Sequence, residues 1–420
     1  MIKKIFATII LLYLIPTFAI GITREAAVEY ALKDSEAIRM IMESSKTLRS
    51  RGEQNTAFSK PRVTWNAGYL EMGDNAPENP MFPSPDRDIS AEIQISKLFY
   101  AGGRIGKVRD LEKNLNNQAD LLEISGKRDI RKQVRMAFDT VLYQKAALDI
   151  LKDRVEQRLT ELEDAQDLRE AGMVTSLDVR QAKLSLNFAK NELKSGEASY
   201  RESLINFNLA IGRSGDAELL IPEGNLEDTP NLEDILSELN ALLSAENILD
   251  IKSAGTQADA ARLNYEIARG EELPEVLLMA SGKSGGEEPD DMDESWNIGI
   301  QARWNIIDGG LVRARTASAK ADMRKAKENV SKTKKAMAGE VEKIGVNIRS
   351  LEQRIRLQRE AVELSEKNYE DARGHYRAGM ITLTRLGEFN LSYAEARFNL
   401  LGLFFLQREQ MNNAEALLEK

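Results

Sequence analysis

Residues 97–110 read KLFYAGGRIGKVRD, and residues 304–317 read WNIIDGGLVRARTA. Further along, residues 168–179 read LREAGMVTSLDV and residues 375–386 read HYRAGMITLTRL. Gly102 and Gly103 align with Gly309 and Gly310, and Gly172 and Met173 with Gly379 and Met380, all at an offset of 207 residues. Within each copy about 70 residues separate the two landmarks, with no net insertion. The chain is a tandem duplication of one long unit, and a reading of the fold is a reading of that unit.

Each unit opens with a helix-like segment, 24–56 in the first copy and 246–272 in the second, ending near Pro61 and Pro274. The period then changes from 3.6 to 2. Ile89, Ala91, Ile93 and Ile95 alternate with Ser90, Glu92, Gln94 and Ser96. At the matching place Trp296, Ile298, Ile300, Ala302, Trp304 and Ile306 alternate with Asn297, Gly299, Gln301, Arg303 and Asn305. A strand sends alternate side chains to opposite faces, so one face is apolar and the other polar. Val63, Trp65, Ala67 and Tyr69 start a partner strand, and residues 275–283 form a fourth with weaker alternation. The expectation is two β-hairpins, at about 62–99 and 275–306, with long acidic loops at 73–88 and 284–295. Such strand lengths suit a membrane barrel, with Trp296, Ile298, Ile300 and Trp304 facing lipid.

After each Gly-Gly joint comes a long segment without proline. Val141, Leu148, Val155 and Leu162 recur every seven residues, as do Ile348, Ile355, Val362 and Tyr369 at the matching positions. Ile344 and Leu351 fill the intervening seam, matched by Ala137 and Gln144. A seven-residue period marks helices supercoiled on neighbours. Some 65 helical residues would extend roughly 100 Å, too long for a compact globular domain. The helix turns at Ala171-Gly172-Met173 and Ala378-Gly379-Met380, where glycine suits a left-handed C-terminal residue. Thr175, Ser176, Thr382 and Thr384 are candidate caps for the returning helices. The fold class is mainly α with a small β portion.

The expected organisation is a signal peptide at 1–21, a first repeat at 22–211, a connecting segment at 212–244, a second repeat at 245–413 and a tail at 414–420. The helical hairpins occupy 103–211, with its tip at 171–176, and 310–413, with its tip at 378–383. Lys3 and Lys4 precede an apolar stretch too short to span a bilayer, as in secretory signals. Without those two lysines the 58 basic residues become 56 against 67 acidic, an excess of 11 negative charges that argues against a nucleic-acid partner. There is no cysteine, which excludes disulfides and thiolate metal sites, and a single histidine, His375, reads as solvated or capping. No residues converge as a catalytic or cofactor site, so the chain is not expected to be an enzyme.

An exported, duplicated chain with two strand hairpins and two long helical hairpins resembles the TolC-type outer membrane factors over nearly all of its mature length. The paired Gly-Gly joints (Gly102, Gly103, Gly309, Gly310) and the paired Ala-Gly-Met tips carry the resemblance, and ITREAAVEYAL at 22–32 matches the family's opening loosely. The resemblance implies a homotrimer whose twelve strands close one barrel in the outer membrane, with the helices continuing into the periplasm. It also implies that Ala171, Gly172, Met173, Ala378, Gly379 and Met380 dock a periplasmic adaptor and, through it, an inner-membrane pump or secretion ATPase. Acidic side chains past the tips narrow the pore in the family. Asp178 and Glu388 match such positions, while Arg385 stands where an acid is expected and is a candidate partner for Asp178. The expected function is a passive exit duct for tripartite efflux or type I secretion. The competing reading is a periplasmic coiled-coil adaptor or scaffold without a channel.

Overall fold

The computed structural model describes residues 21–71, 87–213, 218–228 and 232–419; the signal-like segment, most of the first acidic loop and parts of the 212–244 connection lie outside the described residues. In chain order the elements are β1 (Gly21–Ile22), α1 (Arg24–Asp34), α2 (Glu36–Ala57), β2 (Arg62–Glu71), β3 (Arg87–Ala101), α3 (Arg104–Glu170) and α4 (Ser176–Ala210). Then follow β4 (Ile221–Pro222), α5 (Leu232–Ser244), α6 (Leu249–Gly270), β5 (Glu275–Gly286), β6 (Asp293–Arg303), α7 (Leu311–Arg377) and α8 (Leu383–Leu418).

The duplication is visible element by element. Helices α3 and α7 each have 67 residues and begin and end 207 apart, at 104 and 311 and at 170 and 377. Helices α2 and α6 each have 22 residues but lie 213 apart, at 36 and 249 and at 57 and 270. The hairpin ladders confirm both offsets, because Trp65 opposite Ile93 maps onto Leu278 opposite Ile300. The first copy therefore carries six more residues between its two strands, 213 against 207.

The structure departs from the sequence expectation at four places, two of them with a local cause. The first helix breaks between α1 and α2 at Ser35, whose backbone is extended and whose buried hydroxyl accepts from the Ile38 amide at 3.3 Å. That is an N-cap that starts a second helix. Strands β5 and β6 reach Gly286 and Asp293, taking up half of the expected 284–295 loop. Strand β6 stops at Arg303, opposite Glu275, because residue 274 is a proline with no amide hydrogen to extend the ladder. Trp304 and Ile306 thus lie beyond the strand. Helix α8 runs to Leu418, into the expected tail.

The chain divides into two compact units. One holds residues up to 38, 128–236 and 343–416. Within it α3, α4, α7 and α8 pack along the heptad seam: Val141, Leu148, Ile344, Ile348, Leu351 and Ile355 are buried. In α3 the expected Ala137 and Gln144 are only half-buried, and Phe138 and Leu142 are buried in this stretch instead.

The other unit holds 39–127, 237–342 and 417–420. Here α3 touches both short helices. Arg49 of α2 pairs with Asp120 at 2.7 Å and Glu123 at 3.0 Å, and Glu266 of α6 pairs with Lys107 at 2.6 Å. Gln118 also donates to the Thr256 carbonyl at 3.4 Å. Val108, Leu111 and Ala119 of α3 are buried by this double cover, whereas no residue of the matching stretch of α7, 311–340, is buried. The sheet of this unit has the order β2-β3-β5-β6, antiparallel throughout.

Candidate functional site

The first candidate is the face of the sheet. Its register lines up the apolar side chains of all four strands. Trp65 stands opposite Ile93, Ile93 opposite Gly282 and Gly282 opposite Trp296, with Val63, Ile95, Ala280 and Ile298 forming the next row. The weak alternation of β5 has its explanation here: Gly282 and Ala280 leave room for the large side chains on either side. The opposite face carries Thr64, Gln94, Ser281 and Asn297, with the Asn297 amide donating to the Ser281 hydroxyl at 2.8 Å. Among the described residues nothing covers the apolar face. Trp296 is 81% exposed, Ile300 76% and Ile298 68%. Trp304, just past the strand, is also exposed and its indole donates to the Glu272 carbonyl at 3.1 Å. A contiguous apolar patch of this kind marks a surface that functions against something other than water.

The Gly-Gly joints link this sheet to the long helices. Gly102, Gly103, Gly309 and Gly310 all have φ between 60° and 89°, the left-handed region that favours glycine. Asp308 accepts from the Gly310 and Val312 amides, at 2.9 and 2.7 Å, and so caps α7; these bonds hold its carboxyl below the usual range.

The second candidate is the pair of helical tips. At the first, the Met173 amide donates to the Leu168 carbonyl at 2.8 Å and the Gly172 amide to Arg169 at 3.0 Å. At the second, Met380 donates to His375 at 2.8 Å and Gly379 to Tyr376 at 2.9 Å. Both are Schellman motifs, and Gly172 and Gly379 supply the positive φ, 74° and 71°. The two tips, 207 residues apart, touch: a Cβ on Gly379 would lie 2.8 Å from the Met173 methyl carbon. Ala171, Ala378, Met173 and Met380 are exposed around this contact, and His375 is exposed beside it.

Past the tips, the three charged candidates have local partners. Thr175 caps α4 and Asp178 closes a capping box, accepting from the Thr175 amide at 2.8 Å and hydroxyl at 2.7 Å. The Thr175 bonds hold the Asp178 carboxyl below its ordinary range. In the second copy Thr382 accepts from the Arg385 amide at 3.2 Å, so Arg385 occupies the position equivalent to Asp178. Its guanidinium pairs with Glu388 at 2.6 Å and lies over the Phe389 ring. Within the chain Arg385 therefore pairs with Glu388 and not with Asp178.

Sequence reasoning missed a buried polar cluster behind the tips. The Glu161 carboxylate of α3 accepts from Arg158 at 2.7 Å, Tyr369 at 3.3 Å and Asn390 at 3.2 Å. Asp164 accepts from Arg373 and Arg377, at 3.1 and 2.6 Å. Burial pushes the Glu161 carboxyl up, and it pushes the Tyr376 phenol, whose buried hydroxyl has no partner, to about 12. The available signal was charge inside a heptad, since Arg158 and Glu161 fall between the seam residues Val155 and Leu162. Among the described residues no group of side chains is arranged to hold a metal, and no helix is long and apolar enough to cross a membrane.

The fold is shared with solved outer-membrane proteins. The VceC protein of Vibrio cholerae superposes with a TM-score of 0.79 at 18% identity, over 94% of this chain and 95% of that one. The CmeC outer membrane channel of Campylobacter jejuni gives 0.81 at 14% identity, over 94% and 85%. The open state of the MtrE outer membrane channel of Neisseria gonorrhoeae gives 0.74 at 15%, over 94% and 88%. No curated protein matches by sequence. The family model described as outer membrane efflux protein matches residues 31–213 and 243–419, one segment for each copy of the repeat, and leaves out the connection between them. The chain belongs to the outer membrane efflux protein family and is an outer-membrane protein that extends into the periplasm.

Proposed function

We propose that the protein is a homotrimeric outer-membrane channel that serves as a passive exit duct for efflux, with its helical tips docked on a periplasmic adaptor that connects it to an inner-membrane pump. The observation that carries this reading is the sheet. It has four strands, one continuous apolar face and an unpaired strand at each edge, β2 and β6. Lipid tolerates no open sheet edge, because unpaired amides and carbonyls have no water to bond there. Four strands are too few to close a barrel, and three copies supply twelve. Secretion driven by an ATPase would use the same duct, and the partner rather than the lining would select the cargo.

The test is the state and conductance of the detergent-solubilised protein. Light scattering should give a protein mass of three chains, and planar bilayers should show discrete conductance steps. A stable water-soluble monomer without conductance would favour the scaffold reading.

A further inference from the structure

The polar face of the sheet carries its charge in order along the strands. Near the joints with the long helices it presents Arg62, Glu275 and Arg303, with Lys60 just ahead of β2. Midway, Glu92 stands opposite Lys283 and the two charges offset. Towards the hairpin ends the face presents Asp88 and Asp293. The basic end also has a shape. A hollow of about 290 Å³ is lined there by the apolar side chains of Phe58, Leu98 and Leu277 together with Lys60, Arg62 and Arg303.

The duplication shows which of these charges the fold itself uses. Arg303 pairs with Glu275 at 3.0 Å, and Glu275 also takes Arg104 at the start of α3. One carboxylate thus serves two guanidinium groups. The equivalents of Glu275 and Arg303 in copy one are Arg62, 213 residues back, and Ser96, 207 back, and they too stand opposite each other. Where copy two sets an acid against a base, copy one sets a base against a hydroxyl. Among the described residues neither Arg62 nor Lys60 has an ion-pair partner, and both are exposed. Arg62 lies on the polar face, away from the side that Trp65 and Ile93 make apolar, whereas Lys97, next to Ser96, falls on that apolar side. A single unpaired cation on a surface is ordinary. Two beside an apolar hollow, with a third on its wall, offer an anion charge and its hydrocarbon a dry surface.

We propose that this basic collar binds amphiphilic organic anions, molecules with an apolar body and one carboxylate or sulfonate group. It rests on the reading of the protein as a channel, in which the polar face lines the lumen, and names the cargo class that the lumen favours. The anionic group sits by Lys60 and Arg62, the side chains that Glu275 does not neutralise. The apolar body lies against Phe58, Leu98 and Leu277. An inorganic anion gains only the first contact and an uncharged apolar molecule only the second. Further along the face, Asp88 and Asp293 offer an anion no second site, so it is held once, at the helical end of the strands.

Equilibrium dialysis of the detergent-solubilised protein against 2-naphthalenesulfonate reads the binding directly. Wild type should bind it saturably, and roughly tenfold or more tightly than the uncharged 2-naphthalenesulfonamide or inorganic sulfate. Arg62→Gln and Lys60→Gln should each weaken the sulfonate several-fold and leave the sulfonamide unchanged. Lys60 precedes the strand, so its variant keeps the test open if Arg62→Gln fails to assemble. Lys97→Gln removes the same charge from the apolar side and should change nothing. Equal binding of sulfonate and sulfonamide overturns the collar, as does a loss in Lys97→Gln that matches the loss in Lys60→Gln. Mass by light scattering and conductance in planar bilayers are read on the same preparation. A conducting trimer without saturable sulfonate binding overturns the collar and leaves the channel reading standing. A non-conducting monomer that binds the sulfonate through Lys60 and Arg62 overturns the channel reading and leaves the site.

Discussion

Ile300 and Gln301 are neighbours in β6 that face opposite sides of the sheet, and they separate the membrane reading from a soluble one. On the apolar face, arginine in place of Ile300 would be held in hydrocarbon, at a cost of about 2–4 kcal/mol near the bilayer midplane. Gln301→Arg adds the same charge on the polar face and should be tolerated. Folding yield into vesicles, read by the heat-modified gel shift, should fall for the first and stay near wild type for the second. Arg385 offers a second residue-scale test. Arg385→Asp reproduces in copy two the capping box that Thr175 and Asp178 form in copy one, so the helix start should be no weaker. It also removes the ion pair with Glu388, which is exposed and contributes about 0–1 kcal/mol. If these side chains line a closed constriction, adding acids there should raise single-channel conductance above wild type with the trimer intact. Unchanged conductance would place them on an outer face.

Elements are joined at two kinds of place, the tips and the buried polar cluster. Proline at position 172 would need a φ near −65° where the backbone holds 74°, and would remove the amide that bonds Arg169. Gly379→Glu places a side chain against the Met173 methyl group at another left-handed residue. Both should abolish export in a cell assay while the trimer still forms; normal export in the double variant would remove docking from the tips. Glu161 ties α3 to α7 and α8 through Tyr369 and Asn390. Its carboxyl is raised in the folded state by burial. A raised carboxyl contributes stability that is full below the unfolded value and is lost as pH rises through the folded one. Glu161→Gln keeps acceptor capacity without the charge and should flatten the dependence of melting temperature on pH above about 4. Glu161→Ala leaves Arg158 buried without its carboxylate and should destabilise by about 3–5 kcal/mol.

At the scale of the whole molecule, the repeat was legible because its joints and tips need residues in left-handed conformations, and glycine at a fixed spacing is hard to overlook. The lengths of α3 and α7 followed from those landmarks. Other features left fainter marks. The break at Ser35 falls inside a run of good helix formers, and only a buried hydroxyl gives it away. The register of β5 was illegible because Leu277 and Met279 lie on the face opposite Val276 and Leu278, while Ala280 and Gly282 are too small to mark the apolar side without their large neighbours across the ladder. The cluster around Glu161 looked like ordinary surface charge, since a heptad does not say which charged residues other helices will cover. The extra six residues of the first hairpin appear only when two offsets, 213 and 207, are compared on either side of it.

The uncovered face of Trp65, Ile93, Trp296 and Ile300, bordered by two free strand edges, makes the isolated chain a hazardous intermediate. Between export and insertion it must cross water carrying a surface that pairs readily with any extended peptide. On the proposed trimeric reading the strands gain their full neighbours only when other copies arrive, and barrel formation is then a reaction of higher than first order in protein. Overproduction should therefore raise the rate of correct closure and of stray β-pairing together. On that reading the balance rests on how briefly the face stays uncovered before the neighbouring copies and the bilayer reach it.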